Sequence, residues 1–376
     1  MGNLNIQLKD GANNLYPVTK SDNVVLENVT PVANPSINII EGTDVNGMTL
    51  TEFMNAAYGE RHRLAFLHIS DTHGGTAGVA EMASLADAEG SDIDFIVHTG
   101  DFGAASFTAF VSAECTKPKL GVWGNHDTYD TYSRDTQAAA TAMRSLMGSS
   151  DVSYGSETAS YWYKDITTES GENVRIIGFD EYEDASEQAY LYQGYYTQEQ
   201  IDWFIGLLKD TPSTYYILLL HHMAVEDTVS DNAREFKSSH LNSTSNGFYK
   251  GTQSASLIPS IINAYLNRTS IAASGGGITV DEDFSETEPA TFLAHIGGHK
   301  HSDCCEPLVN YPAQLQLLIA KGHSGASGGG DLTFADSSYC INKVIIDFNL
   351  RQVRVQRIGA QQKSDETLRV KTDFHY

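Results

Sequence analysis

The sequence predicts an α/β domain. From residue 61 onward short apolar runs alternate with segments of helical periodicity, the pattern of strands joined by helices. Five short polar segments rich in Asp and His each follow such an apolar run, which puts the polar chemistry at strand ends, where open α/β sheets place their sites. Near the end, Cys340–Phe348 and Gln352–Ile358 alternate apolar and polar positions around Asn349-Leu350-Arg351, a hairpin that covers a sheet edge or closes a second sheet.

Residues 1–60 stand apart from this pattern: they are rich in Asn, Val and Thr, hold three of the nine prolines and carry none of the polar motifs. Only short apolar stretches occur there, Asn23–Leu26 and Ile37–Ile40, with a short helix expected over Thr49–Tyr58 behind a Thr51 cap. Beyond them, strands are expected over Leu64–Ile69, Asp94–His98, Leu120–Trp123, Tyr215–Leu220 and Thr291–Ile296. Helices are expected over Ala77–Ala88, Thr136–Met147, Thr197–Leu208 and Ser256–Leu266. In the third, Thr197 and Gln200 form a capping box, and Ile201, Phe204, Ile205 and Leu208 make a core-facing stripe. Ser270–Gly277 and Ser324–Gly330 are Gly/Ser-rich and read as loops, and the acidic run Asp281–Glu288 reads as a solvated loop. Glu226–Ser254 lacks a firm pattern and is either a lid or a surface insertion without a role in binding.

The chain has 376 residues, 41% of them hydrophobic and 19% charged, enough for one catalytic domain over 61–376 with an N-terminal segment over 1–60. A formal charge of -24 argues against a surface built to hold long nucleic acid. Cys115, Cys304, Cys305 and Cys340 are too scattered for a disulfide framework and lack zinc-ribbon spacing. No apolar run approaches the length of a membrane span, and Met1–Gly11 has no signal-peptide h-region. A soluble protein is expected, cytoplasmic or virion-associated.

The five polar segments are Asp71-Thr72-His73, Gly100-Asp101, Gly124-Asn125-His126-Asp127, His221-His222 and Gly298-His299-Lys300-His301. In an extended chain residues i and i+2 face the same way, so Asp71 with His73, and His299 with His301, can each converge on one ion. Carboxylate, imidazole and amide oxygen make a mixed N/O shell that suits Zn, Mn or Fe. Singly each segment is common. The ordered series at successive strand ends is not, and it points to a binuclear metal site.

That series, Asp-x-His, Gly-Asp, Gly-Asn-His-Asp, His and Gly-His-x-His, resembles the calcineurin-like metallophosphoesterases over about residues 62–348. The resemblance implies a four-layer α/β/β/α sandwich of two mixed sheets flanked by helices, with the N-terminal appendage outside it. It implies two divalent transition-metal ions, Mn, Zn or Fe. Asp71, His73, Asp101 and His301 would hold the first, and Asp101, Asn125, His221 and His299 the second, so that Asp101 bridges. His221 is preferred to His222 because related sequences often read His-His-Pro with the first histidine on metal; here Met223 stands for that proline. His126 would be catalytic, facing the substrate to stabilise charge or protonate the leaving oxygen, and Asp127 would hold the loop. The implied activity is hydrolysis of a small phosphodiester or phosphomonoester by a metal-bridging hydroxide.

Gly103-Ala104-Ala105 after Asp101 lacks the arginine of protein phosphatases and the tyrosine of purple acid phosphatases, which leaves the phosphodiesterase-type branch. Tyr182, Tyr192, Tyr195, Tyr196 and Phe248 could stack a base or sugar, or be ordinary core and surface residues. The alternatives are a nucleic-acid exonuclease and a virion- or surface-associated binding protein with a secondary phosphoesterase domain. The latter is motivated by residues 1–60, whose opening resembles the leaders of phage tail-associated proteins and which could serve as a tether or oligomerisation element.

Overall fold

The structure, a computed structural model, describes residues 7–10, 13–17, 62–130, 136–148, 151–182, 196–225, 254–275, 278–299, 301, 304–319, 322–323, 332–333, 338–349, 351–362 and 374–375. The chain divides into two compact units, Met1–Arg61 and His62–Tyr376. In the first, β1 (Gln7–Asp10) and β2 (Asn13–Pro17) pair antiparallel. The expected helix over Thr49–Tyr58, the Ser324–Gly330 loop and nearly all of Glu226–Ser254 lie outside the described residues.

The second unit starts with β3 (Arg63–Ile69), α1 (Ala77–Ala88), β4 (Phe95–His98), α2 (Ala104–Ser112), β5 (Lys119–Gly121), α3 (Asn125–Asp130) and α4 (Thr136–Met147). It continues through β6 (Ser153–Tyr154), β7 (Trp162–Thr167), β8 (Asn173–Gly178), α5 (Gln198–Asp210), β9 (Tyr216–Leu220) and α6 (Ser254–Asn267). β10 (Ser270–Gly275), β11 (Ile278–Asp283), β12 (Thr291–Gly297), β13 (Cys304–Pro307) and β14 (Leu315–Leu318) follow. The last strands are β15 (Leu332–Thr333), β16 (Cys340–Asp347), β17 (Gln352–Gly359), β18 (Gln361–Gln362) and β19 (Phe374–His375).

Two large mixed sheets flanked by helices form the four-layer α/β/β/α sandwich. One has six strands in the order β19-β17-β16-β3-β4-β5, the other seven in the order β13-β14-β12-β9-β8-β7-β6. β3, β4 and β5 run parallel, as do β8, β9, β12 and β14. These central strands read as near-continuous apolar runs because both of their faces are covered: Leu64, Phe66, Leu67, Phe95, Ile96, Leu218, Leu219 and Leu293 are all fully buried. Trp162 on β7 donates its indole N–H to the carbonyl of Gly121 on β5 at 3.0 Å, tying the two sheets across their shared core. The C-terminal hairpin forms as expected, with β16 pairing β3 on one side and β17 on the other.

Two readings change. Ser270–Gly275 is a strand, not a loop, and it pairs with β11, which takes in the start of the acidic run. Ile278 and Val280 of β11 face inward while Thr279 and Asp281 face water. The alternation that defines the hairpin thus sits in its second strand; the first offers only half-buried Ile271 and Ala273 among small residues. In α5, Thr197 caps as expected, its hydroxyl accepting from the Gln200 N–H at 3.1 Å. Gln200 does not reach back to complete the box. Its buried side chain clamps the backbone of Asp180 instead, accepting from Asp180 N at 2.9 Å and donating to Asp180 O at 2.8 Å.

Candidate metal centre

The loops after β3, β4, β5, β9 and β12 meet at the C-terminal ends of the parallel strands. Asp71 N donates to Gly100 O at 3.0 Å, His73 N to Asp101 O at 3.0 Å and Gly74 N to Phe102 O at 2.6 Å, so the first two loops run on as a ladder past the sheet. Their backbone then leaves the extended region. Asp71, His73, Asp101, His299 and His301 have φ of 52°, 45°, 55°, 65° and 53°, five of the seven non-glycine positive values among the described residues. Left-handed backbone in such residues stores about 1–3 kcal/mol each and gathers at functional sites. The i and i+2 side chains therefore converge through two left-handed residues, not through the extended chain expected. Gly124 makes room for this packing: a Cβ there would stand 2.2 Å from both the backbone nitrogen and Oδ1 of Asp101.

Among the described residues three overlapping groups of ligand-type side chains result, Asp71 with His73 and His301, His73 with Asp101 and His126, and Asp101 with His222 and His299, and their closest approaches fall in two clusters. In the first, His73 Nε2 is 3.2 Å from His301 Nε2, and His301 Nε2 is 3.3 Å from Asp71 Oδ1. In the second, Asn125 Oδ1 is 3.0 Å from His299 Nδ1 and 3.1 Å from His222 Nε2. Asp101 stands between them, with Oδ2 at 3.7 Å from His73 Nε2 and Oδ1 at 3.4 Å from His222 Nε2. Atoms bound to one ion at about 2.0–2.2 Å, at tetrahedral to octahedral angles, lie about 2.8–3.6 Å apart; all but the longest of these separations fall in that range.

The adjacent histidines exchange the places expected of them. His221 points away from the clusters: its ring stacks on Phe179 with centroids 4.8 Å apart, and its Nε2 is 3.2 Å from His295 Nδ1. His222 turns inward, with its Nδ1 2.6 Å from the carbonyl of Thr99 and its Nε2 on the second cluster. Successive residues leaving a strand face opposite ways, and here the second one faces the site. Of the eight residues expected to form the site, Asp71, His73, Asp101, Asn125, His126, His299 and His301 come together and His221 does not.

The donor set fits divalent cations. Asp71 Oδ1 is buried and has no hydrogen-bond partner, an arrangement that costs about 1–3 kcal/mol unless something else, such as a cation, engages it. Burial opposes ionisation of Asp71 and Asp101, yet the surrounding histidines hold both carboxyls below the usual carboxylate range. The same field works in reverse on His222: against its burial, Asp101 and Asp71 push it up to about 10. The pocket favours positive charge.

His126, the second residue of α3, is half-buried, its backbone N–H donating to Asp101 Oδ1 at 2.8 Å and its ring edge-on to His73 at 4.8 Å between centroids. Asp127 does not orient that ring. Its Oδ1 accepts from Phe102 N at 2.7 Å and Gly103 N at 3.2 Å, and its Oδ2 from Gly124 N at 2.9 Å, pinning the loops after β4 and β5 together. Tyr182 and Tyr196 are buried and so offer no open face for stacking; Tyr192, Tyr195 and Phe248 lie outside the described residues. One carboxylate beside the site was missed. Glu181 follows β8, and the short apolar run Ile176–Phe179 with acids behind it repeats the strand-then-acid pattern that marked the other segments.

The family profile described as calcineurin-like phosphoesterase matches residues 64–303. No curated protein matches the chain. Among solved structures, a dimetal phosphatase from Danio rerio is similar at 11% identity and a TM-score of 0.49, covering 80% of this chain and 99% of that one. PhoD is similar at 13% identity and a TM-score of 0.45, over 81% of this chain and 72% of its own. GAP50, described as the anchor in the inner membrane complex of Plasmodium, is similar at 13% identity and a TM-score of 0.42, over 84% and 89%.

Proposed function

The chain belongs to the calcineurin-like phosphoesterase family, and from that premise we propose that this metal-dependent phosphoesterase is a binuclear enzyme that hydrolyses a small phosphodiester or phosphomonoester. The observation that carries the reading is Asp101, whose two carboxylate oxygens face different clusters, at 3.7 Å from His73 and 3.4 Å from His222. A shared carboxylate is the natural spacer for two dications. Asp71, His73, Asp101 and His301 would hold one ion, and Asp101, Asn125, His222 and His299 the other. Two ions so held would supply Lewis acidity and lower the pKa of a water near neutral pH, so no protein nucleophile is needed.

The rest falls to side chains of this chain. Asp71 and the backbone of His299 lock the two loops, His299 N donating to Asp71 Oδ2 at 2.8 Å, which fixes the histidines before substrate arrives. His126 is half-buried, as are His73 and His301, and an imidazole there can give a proton to the departing alkoxide. The -24 charge favours a small substrate over a nucleic-acid chain. Among the described residues no helix is long and apolar enough to cross a membrane.

A panel tests this: bis(p-nitrophenyl) phosphate, p-nitrophenyl phosphate and a single-stranded oligonucleotide, each with added Mn, alongside elemental analysis of the purified protein. Turnover of either small ester with about two ions per chain is the expected result. Protein that takes up no transition metal and cleaves neither ester would overturn it, and cleavage of the oligonucleotide alone would replace it with the exonuclease reading. The separation of Met1–Arg61 as its own unit supports treating residues 1–60 as an appendage to a catalytic domain over 61–376. Gel filtration with and without residues 1–60 tests an assembly role; an unchanged elution volume removes it.

A further inference from the structure

Beyond the ligand atoms, the second cluster depends on how the chain leaves β9. His222 has no helix or strand of its own to hold it, since β9 ends at Leu220. Its ring is fixed at one end, with Nδ1 2.6 Å from Thr99 O. Its backbone is fixed from the neighbouring strand. Past the end of β8, Phe179 N donates to Leu220 O at 3.1 Å, carrying the β8–β9 ladder one step beyond the sheet. There Gln200 clamps the Asp180 backbone from both sides, the Asp180 carboxylate accepts from Ser160 and from Tyr182 N, and Glu181 is left pointing at the turn. One oxygen of Glu181, Oε2, accepts from both His222 N at 2.7 Å and Met223 N at 2.9 Å. The other, Oε1, accepts from Tyr196 OH at 3.2 Å.

A buried carboxylate is an expensive way to satisfy two backbone N–H groups. Glu181 is 1% exposed, and burial pushes its carboxyl up to about 7. Both donors belong to the turn that aims His222, and Glu181 has no part in the ligand set itself. We propose that Glu181 is a positioning residue for the second ion: by holding the 222–223 backbone on a single oxygen it keeps His222 Nε2 against Asn125 and Asp101. The inference rests on the binuclear reading above, in which His222 is a ligand. It needs an acceptor at the Oε2 position and does not need the charge. Glutamine can place its amide oxygen there; aspartate, one methylene shorter, cannot reach; leucine fills the space without an acceptor.

Mn(II) titration of the full chain by calorimetry, after chelation, separates these cases. The wild type takes two equivalents, and His222→Ala must lose one of them; if His222→Ala keeps both, the ligand assignment fails and not the positioning role alone. With that control in place, Glu181→Gln keeps both equivalents. Glu181→Asp and Glu181→Leu weaken one equivalent by about 10–100-fold, the usual effect of removing a group that orients a ligand, and turnover of the aspartate variant recovers as Mn(II) is raised. Three results overturn the proposal: Glu181→Asp binding like wild type while Glu181→Gln weakens, which would make the charge the operative feature; Glu181→Asp and Glu181→Leu both binding like wild type; or both equivalents weakening together with a lowered melting temperature of the metal-free protein. Should Glu181→Leu fail to fold, the aspartate and glutamine variants decide alone.

Discussion

Asp127→Asn exchanges one buried oxygen for an amide nitrogen and leaves the shape alone. In the wild type three backbone N–H groups converge on the carboxylate, from Phe102, Gly103 and Gly124. Asparagine in its better orientation turns its oxygen to Phe102 and Gly103, so its NH2 faces the N–H of Gly124 and two donors oppose each other. The other orientation forfeits two bonds. One lost hydrogen bond to a charged group costs about 1.5–3 kcal/mol. Part of that is offset, because burial and the nearby Asp101 both hold the Asp127 carboxyl above its ordinary range, so removing its charge relieves a strain. The net loss is about 2 kcal/mol, or about 3 °C in melting temperature for a domain of this size. Because Gly124 begins the loop that carries Asn125 and His126, turnover should fall more steeply than stability, with the second Mn(II) equivalent weakened about 10-fold. Thermal melting, Mn(II) titration and turnover on one preparation check all three. Asp127→Asn with wild-type melting and wild-type turnover would refute the account of this carboxylate as the tie between the two loops.

Three further outcomes are expected. Asp101→Asn should abolish turnover and one or both metal equivalents while the circular dichroism spectrum stays that of the wild type, since it removes charge and not packing; retention of both ions would contradict a bridging role. His126→Ala should keep both equivalents and lose about 10²–10⁴-fold in kcat, the usual weight of general acid catalysis, and loss of metal from that variant would mean His126 is a ligand instead. In acid the chelated protein should lose stability between pH 6.5 and about 3, because burial drives His295 down to about 4 and His68 to about 3. Both are neutral when folded and protonate first in the unfolded chain, so their stabilisation is complete above pH 6.5 and is lost as pH falls. For His295 the loss totals about 3 kcal/mol, opposed in the same window by the Glu181 and Asp127 carboxyls that burial holds up to about 7, so a His295→Gln variant whose melting temperature follows the wild type across that window would rule the effect out.

The parallel strands and the long helices were legible because they obey one periodicity each. β3, β9 and β12 are near-continuous apolar runs buried on both faces, and α4 covers the span the pattern predicts. α2 was not legible, because in a nine-residue helix directly behind the Gly100-Asp101 segment Phe107 and Phe110 are too few to mark a helical period. The β10–β11 hairpin was hidden by composition, since Ser, Ala and Gly carry almost no record of which face is buried. Side-chain identities at strand ends were readable. The left-handed φ values of Asp71, His73, Asp101, His299 and His301 were not, because no residue type announces that conformation as glycine does.

The exchange of His221 for His222 has the most direct physical cause. Parity along a strand is read from alternation, and β9 has none: Ile217, Leu218, Leu219 and Leu220 are all fully buried, so nothing in the run says which of the next two residues faces the site. The information lies in other segments. His295 sits inside the apolar run of β12, and a buried imidazole needs partners on both nitrogens. It finds Gln314 Oε1 at 2.9 Å on one side and His221 Nε2 at 3.2 Å on the other. A histidine in the middle of Thr291–Gly297 thus calls for a polar neighbour on the adjacent strand, and β9 runs parallel beside it, with His295 in register with Leu219. His221 is the first polar residue beyond that point. Satisfying His295 commits His221 to the interior, and the opposite-facing neighbour, His222, is then the one left to face the metal-type cluster.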